Sequence, residues 1–229
     1  MDYSRLINLL VRRKQPVIFT DQHKTMPISN VFGYDRGMPV DRYYIEHFLK
    51  QNAQLISGRV LEIGDNIYTL NYGGADVTES IILTADKQLQ GALVGDLTDF
   101  QTLPHEYFDC FICTQTLNFI YDIKRAILGS RQLLKSGGFF LGTVAGISQI
   151  SQYDMDRWGD YWRFTKMSLE NLFRDYFNGN VEIASYGNCL AACSLLQGIS
   201  VEDLPDRSLL DNHDQNYQVI LTIKAKKDR

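Results

Sequence analysis

Acidic residues at the ends of three successive apolar runs are the residues whose spacing most suggests chemistry. Glu62 and Asp65 sit in and just after Val60-Leu61-Glu62-Ile63-Gly64, a short apolar run that stops at a glycine. Asp86 closes Ser80-Ile81-Ile82-Leu83-Thr84-Ala85, and Asp96 closes Ala92-Leu93-Val94-Gly95. Runs of this length between turn signals read as buried strands. Three such strands would each deliver a carboxylate to the same edge of a parallel sheet. In open α/β sheets that edge holds nucleoside-like ligands.

The loop after the first strand narrows the ligand. A pyrophosphate-bearing nicotinamide cofactor wants G-x-G-x-x-G, so that backbone amides at a helix N-terminus can touch the phosphates. Here the loop reads Gly64-Asp65-Asn66-Ile67-Tyr68-Thr69, without the second and third glycines. S-adenosylmethionine carries no phosphate and makes different demands. Gly64 lets the backbone approach it closely. Asn66 is expected to stand in for a glycine at positive φ, a region that Asn tolerates. Asp86 is placed to bridge the two ribose hydroxyls and Asp96 to accept the adenine amino group, with Leu97 beside it and Thr114 at the end of the fourth strand. Singly, each acid could be a solvated strand end; their ordered series favours the binding reading.

A second candidate site is Tyr153-Asp154-Met155-Asp156-Arg157-Trp158-Gly159-Asp160-Tyr161-Trp162-Arg163-Phe164-Thr165, which holds both tryptophans of the chain. It follows the fifth strand and so starts on the same edge. Flat aromatic faces beside fixed polar groups suit a polar ring such as a sugar. Tyr153, Trp158, Tyr161 and Trp162 are the candidate acceptor-binding residues. The opposing reading is a structural elbow with core aromatics and Arg163 paired to an aspartate. A hydroxyl acceptor gains from a base within hydrogen-bond reach, and of Asp154, Asp156 and Asp160 the reading favours Asp156. The histidines His23, His47, His105 and His213 fall outside these blocks, and only His213, in the late loop, merits a watch. Arg36, Asp41 and Tyr43 are placed to close over the site from the N-terminal side, or Arg36 and Asp41 simply form a surface ion pair worth little.

Elements must place these groups. The first 57 residues read as helical and irregular, with Arg12-Arg13-Lys14 on the solvated side of an N-terminal helix. A helix starts at Val40 or Asp41 and ends near Gln54. Strands fall near 60–64, 80–85, 91–95 and 107–113, and a helix spans Ile123 to Leu134. Lys135-Ser136-Gly137-Gly138 is read as its terminator, because glycine accepts the left-handed cap. A strand follows at 139–144. Ser168 is the expected N-cap of a helix ending at Phe177, before a strand at 181–186. Tyr217–Lys224 is the last strand, which could pair antiparallel at one edge. Alternation of strands and helices argues a parallel sheet covered on both faces.

Bulk properties add exclusions. A chain of 229 residues with net charge −4 fits one core and has no general attraction to nucleic acid or anionic membrane. No apolar run suits a membrane span or signal peptide, so a cytoplasmic location is expected. Cys110 and Cys113 form a CxxC inside a strand, where residues three apart face opposite ways. No metal is therefore expected.

Taken together, Val60–Asn66, Thr116–Asp122 and Leu133–Gly138 resemble the class I S-adenosylmethionine-dependent methyltransferases of the type 11 kind, whose first motif reads V-L-E-I-G-x-G. Asn66 replaces the second motif glycine, and Ser136 the usual proline. The resemblance covers residues 59 to about 144. It implies an α/β, Rossmann-like, doubly wound and mostly parallel sheet with an antiparallel edge strand, preceded by a helical extension over residues 1–57. It also implies S-adenosylmethionine as cofactor, with a set comprising Glu62, Gly64, Asp65, Asn66, Asp86, Asp96, Leu97 and Thr114. Arg163 lies in a W-R-F-T run common in such enzymes and joins Asp156 as a catalytic candidate, though it could instead orient the segment. Asp35–Glu46 and Tyr153–Thr165 resemble methyltransferases that accompany glycosyltransferases in bacterial surface-glycan synthesis. The rival readings are a non-catalytic partner of a glycan-assembly enzyme and a nicotinamide-dependent oxidoreductase.

Overall fold

The computed structural model describes residues 25–85 and 89–228. The Arg12-Arg13-Lys14 helix, His23 and Asp86 lie outside them.

Among the described residues seven strands form one sheet: β1 (Gly58–Ile63), β2 (Val77–Thr84), β3 (Leu93–Val94), β4 (Phe108–Thr114), β5 (Leu134–Ala145), β6 (Val181–Tyr186) and β7 (Ile220–Lys226). Their order is β3-β2-β1-β4-β5-β7-β6. Pairing is parallel from β3 to β5, and β7 runs antiparallel to both β5 and β6. The order in which strands are added reverses between β1 and β4, the switch point at which open α/β sheets bind ligands.

Among the described residues six helices accompany the sheet: α1 (Val40–Gln51), α2 (Ile67–Tyr72), α3 (Ile123–Leu133), α4 (Gln152–Met155), α5 (Lys166–Phe177) and α6 (Cys189–Gln197). Alternation along β4 builds two core layers. Phe111 and Cys113 face a layer with Ile127 of α3 and Leu169, Phe173 and Phe177 of α5. Cys110 and Ile112 face Tyr44, Ile45, Phe48 and Leu49 of α1 and Leu195 of α6. The two thiols of the CxxC thus lie on opposite faces of the sheet, as the strand period requires.

Several boundaries move from their expected places. Strand β5 begins at Leu134, directly after α3, so Lys135–Gly138 is not the helix terminator. It forms an irregularity within β5, where the register against β4 shifts between Phe108 and Cys110 and Gly137 takes φ +84°. The N-cap of α5 is Thr165, not Ser168. Ser168 is the third residue of the helix and returns the bond in a reciprocal capping box. The strand expected at 91–95 shrinks to Leu93–Val94, because the turn after Asp96 claims its end through Asp96–Thr98 bonds. The last strand starts at Ile220 rather than Tyr217.

The segment before α1 is tied to the chain after α6. Ile28 and Ser29 donate to the Gln197 carbonyl, and Pro39 bridges to Ser200. Arg36 pairs with Asp203 at 2.7 and 2.8 Å, not with Asp41. Among the described residues no helix is long and apolar enough to cross a membrane.

Candidate cofactor and acceptor site

The carboxyl ends of β1 to β5 form one edge, and the candidate residues gather there. Gly64 ends β1 at φ +83° and donates to the Leu83 carbonyl at 3.0 Å, which fastens the loop to β2. A Cβ built on Gly64 would meet nothing within 4 Å. The glycine therefore serves the backbone conformation and the open space beside it, not contact with a protein neighbour.

Glu62 behaves differently from expectation. It is 2% exposed, and its two oxygens accept from the Tyr68 and Thr69 amides at 3.0 and 2.7 Å and from the Thr69 hydroxyl at 2.7 Å. Its role is to hold the N-terminus of α2 against β1, so it leaves the cofactor-contact set. Burial pushes its carboxyl above the usual range, against the lowering effect of those bonds. Glu62→Ala leaves two buried amides without partners and should lower unfolding free energy by about 2–3 kcal/mol, read from urea denaturation.

Asn66 is a second correction. Its φ is −129°, an ordinary value, and its amide donates to the Ser80 hydroxyl at 3.1 Å. It replaces a glycine because no positive φ is required there. Asp65 is exposed and accepts from the Ile67 amide at 3.1 Å. Asp96 is exposed on the same edge, with Oδ1 accepting from the Thr98 amide and hydroxyl at 2.7 and 2.8 Å. Leu97 is 3% exposed and belongs to the core, which leaves only its backbone for a ligand. Thr114 ends β4, and its carbonyl accepts from the Thr116 hydroxyl at 3.0 Å.

Two residues at this edge were not among the candidate site residues. Gln115 adopts φ +48°, a strained position for a residue with a Cβ, held by its amide bond to the Thr143 carbonyl at 2.8 Å. Strain of this kind costs about 1–3 kcal/mol and concentrates at functional sites. Asn118, 2% exposed, takes the Ala145 amide at 3.1 Å and donates to the Trp162 carbonyl at 2.6 Å. Its own carbonyl receives the Tyr161 and Trp162 amides. This one side chain fixes the aromatic segment to the ends of β4 and β5.

Arg163 is saturated by its own segment. It grips Asp160 at 2.5 and 2.8 Å and also donates to the Ser148, Gln149 and Trp162 carbonyls. Its guanidinium is a positioning group, and the catalytic assignment is corrected. Burial acts to raise the Asp160 carboxyl, but bonds from Arg163 and the Ser151 amide outweigh it and hold it below the usual range. Asp160 is thus excluded as a base. Asp154 receives the Ser151 hydroxyl at 2.5 Å. Asp156 is exposed, with Oδ1 taking the Gln152 amide at 2.7 Å.

The aromatics divide in two. Trp162 is half-buried, donates to the Ile120 carbonyl at 3.0 Å and stacks on Tyr121. Tyr153, Trp158 and Tyr161 are 66%, 52% and 49% exposed, and Tyr161 sets its ring against Tyr121. On the N-terminal side, Arg42 joins the hydroxyls of Tyr34 and Tyr68. Tyr43 donates to Asp211 at 2.7 Å, and Asp41 accepts from the Arg42 amide at 2.8 Å. Of this group Arg42 reaches α2 beside the Gly64 loop; Arg36 and Tyr43 point to the later loop. His213 packs its ring against Tyr186 and Tyr44.

Residues 56–142 match the family described as methyltransferase domain. The match runs from just before β1 into β5. Its fold is similar to that of a SAM-dependent methyltransferase from Archaeoglobus fulgidus, with TM-score 0.52 and 14% identity over 81% of this chain and 94% of that one. A phosphoethanolamine N-methyltransferase of Haemonchus contortus, solved with S-adenosylhomocysteine, gives 0.52 and 13% over 82% and 53%. The [4+2]-cyclase SpnF gives 0.54 and 16% over 84% and 83%. No curated protein matches the chain. The open space at Gly64 and the exposed polar groups of Asp65 and Asp96 fit S-adenosylmethionine.

Proposed function

We propose that the protein transfers a methyl group from S-adenosylmethionine to a hydroxyl of a small-molecule or carbohydrate acceptor. The observation that carries this reading is the aromatic segment, pinned by Asn118 and the Arg163–Asp160 pair to the same sheet edge as Gly64. S-adenosylmethionine supplies an already activated methyl, so the protein's task is positioning. Gly64, Asp65, Asp96, the Leu97 backbone and Thr114 would hold the cofactor, with Asp86 on the ribose. Trp158, Tyr161 and Tyr153 would hold the acceptor, with Trp162 fixing their frame. Asp156, whose carboxylate neither Arg163 nor Ser151 engages, would accept the hydroxyl proton.

The second reading is a non-catalytic partner of a glycosyltransferase in glycan assembly. It is favoured by Glu62, whose oxygens are spent inside the protein rather than offered to a ligand. A panel of reducing and non-reducing sugars incubated with methyl-labelled S-adenosylmethionine separates the two. Label transferred to acceptor oxygen supports the first reading, and no turnover with any acceptor despite cofactor binding supports the second. For an accepted sugar, Trp158→Ala should raise KM about tenfold, equivalent to about 1.4 kcal/mol of lost contact. Cofactor affinity should stay unchanged by calorimetry.

A further inference from the structure

The two outer strands of the sheet end it in different ways. Strand β3 is two residues long, whereas all six residues of β6 pair with β7 without a bulge. The Lys226 amide donates to the Asn180 carbonyl at 3.0 Å, which sets the phase of the β6–β7 ladder. Bonding groups alternate along an antiparallel strand, so Glu182, Ala184 and Tyr186 face β7. The N–H and C=O groups of Val181, Ile183 and Ser185 therefore point away from the sheet. Among the described residues no strand or loop pairs with them.

Proteins blunt such edges with short strands, prolines, bulges or exposed charges. Length blunts β3. Strand β6 has no proline and no bulge, and its one charged side chain, Glu182, is engaged by Lys224 of β7. We propose that this edge joins two copies of the chain, with β6 pairing antiparallel to β6 of the second copy about a two-fold axis.

The strand is complementary to itself. With the axis at Ile183, Val181 of each copy falls opposite Ser185 of the other, so all three outward residues meet outward partners. The flank of the edge is complementary to itself as well. A groove of about 200 Å³ beside the strand is lined by Glu170 and Arg174 of α5 with Gly179, Val181 and Ile183. Arg174 is exposed, and no hydrogen bond or ion pair engages it among the described residues. The ion pair of Glu170, with Lys166, is 3.9 Å long. A two-fold axis reverses α5 in the second copy and so turns Glu170 of each copy toward Arg174 of the other. Exposed pairs of this kind add little affinity but select the partner and the register. Such a contact uses the same surface on both copies and closes at a dimer.

The test is sedimentation equilibrium of the full chain from dilute to concentrated solution, with hydrogen exchange read at both ends of that range. A reversible monomer–dimer equilibrium is expected, with the Val181, Ile183 and Ser185 amides protected only where dimer dominates. Ser185→Pro removes one outward N–H and no bond to β7, and should weaken the dimer at least about tenfold. Arg174→Glu sets acid against acid and should weaken it about fivefold. Adding Glu170→Arg to that variant should restore it, a recovery that a folding defect would not show; far-UV circular dichroism confirms that each variant is folded. A monomer at every concentration overturns the proposal. So does a dimer in which the three amides exchange freely, or one that Ser185→Pro and Arg174→Glu leave unchanged.

Discussion

Arg163→Ala should cost about 3–5 kcal/mol, the range for removing one partner of a buried ion pair. The Asp160 side chain is 1% exposed, so without Arg163 its charge loses its principal partner while staying out of water. Three carbonyls, those of Ser148, Gln149 and Trp162, lose their donor at the same time. The segment 146–165 should loosen as a unit, seen as faster hydrogen exchange at the Ser151 and Phe164 amides. Acceptor turnover should fall by about a hundredfold or more, while S-adenosylhomocysteine affinity stays within about threefold, since Gly64 and Asp96 lie on other loops. Arg163→Lys should rescue little, because an ammonium cannot reproduce the two-pronged grip on Asp160. The pair also gives a pH signature. A carboxyl lowered in the folded state stabilises above its unfolded value of about 3.9. That contribution is lost as pH falls through the lower folded value, so wild type but not Arg163→Ala should show this acid-side loss.

Gly64→Leu should separate cofactor binding from stability. At φ +83° a side chain is strained by about 1–2 kcal/mol, yet its Cβ meets no protein atom within 4 Å. The protein should fold with a midpoint only a few degrees lower. The leucine would fill the space assigned to the cofactor, and affinity should drop at least about a hundredfold, or about 2.7 kcal/mol. Unchanged affinity in the folded variant would move the cofactor away from the first loop.

The sheet was legible because β1, β4 and β5 hold short apolar runs, Val60-Leu61, Cys110–Cys113 and Phe139–Leu141, each close to a turn signal. Strand β6 at 181–186 was legible because Asn178-Gly179 supplies the left-handed cap and turn that precede it. The start of β5 was not. Lys135–Gly138 looks like a helix stop in sequence, and only pairing of Leu134 with Phe108 reveals that the strand has begun. Thr165 and Ser168 both suit a cap, and the reciprocal bond between them decides which one is outside the helix. The places of Gly64 and Asp96 just past the ends of β1 and β3 were readable from type and spacing. Glu62 was misread because an acid at the end of an apolar run gives no hint that two helix amides will consume it. Asn118 and Gln115 were missed because a single buried amide and a single positive φ leave no periodic trace.

The central claim is that the edge formed by the first three strands binds S-adenosylmethionine. Calorimetric titration of the intact chain with S-adenosylhomocysteine, repeated on Asp86→Ala, tests it most directly. Micromolar binding, about −8 kcal/mol, that is lost in Asp86→Ala is the predicted result. A folded wild-type protein that binds neither S-adenosylhomocysteine nor S-adenosylmethionine would contradict it.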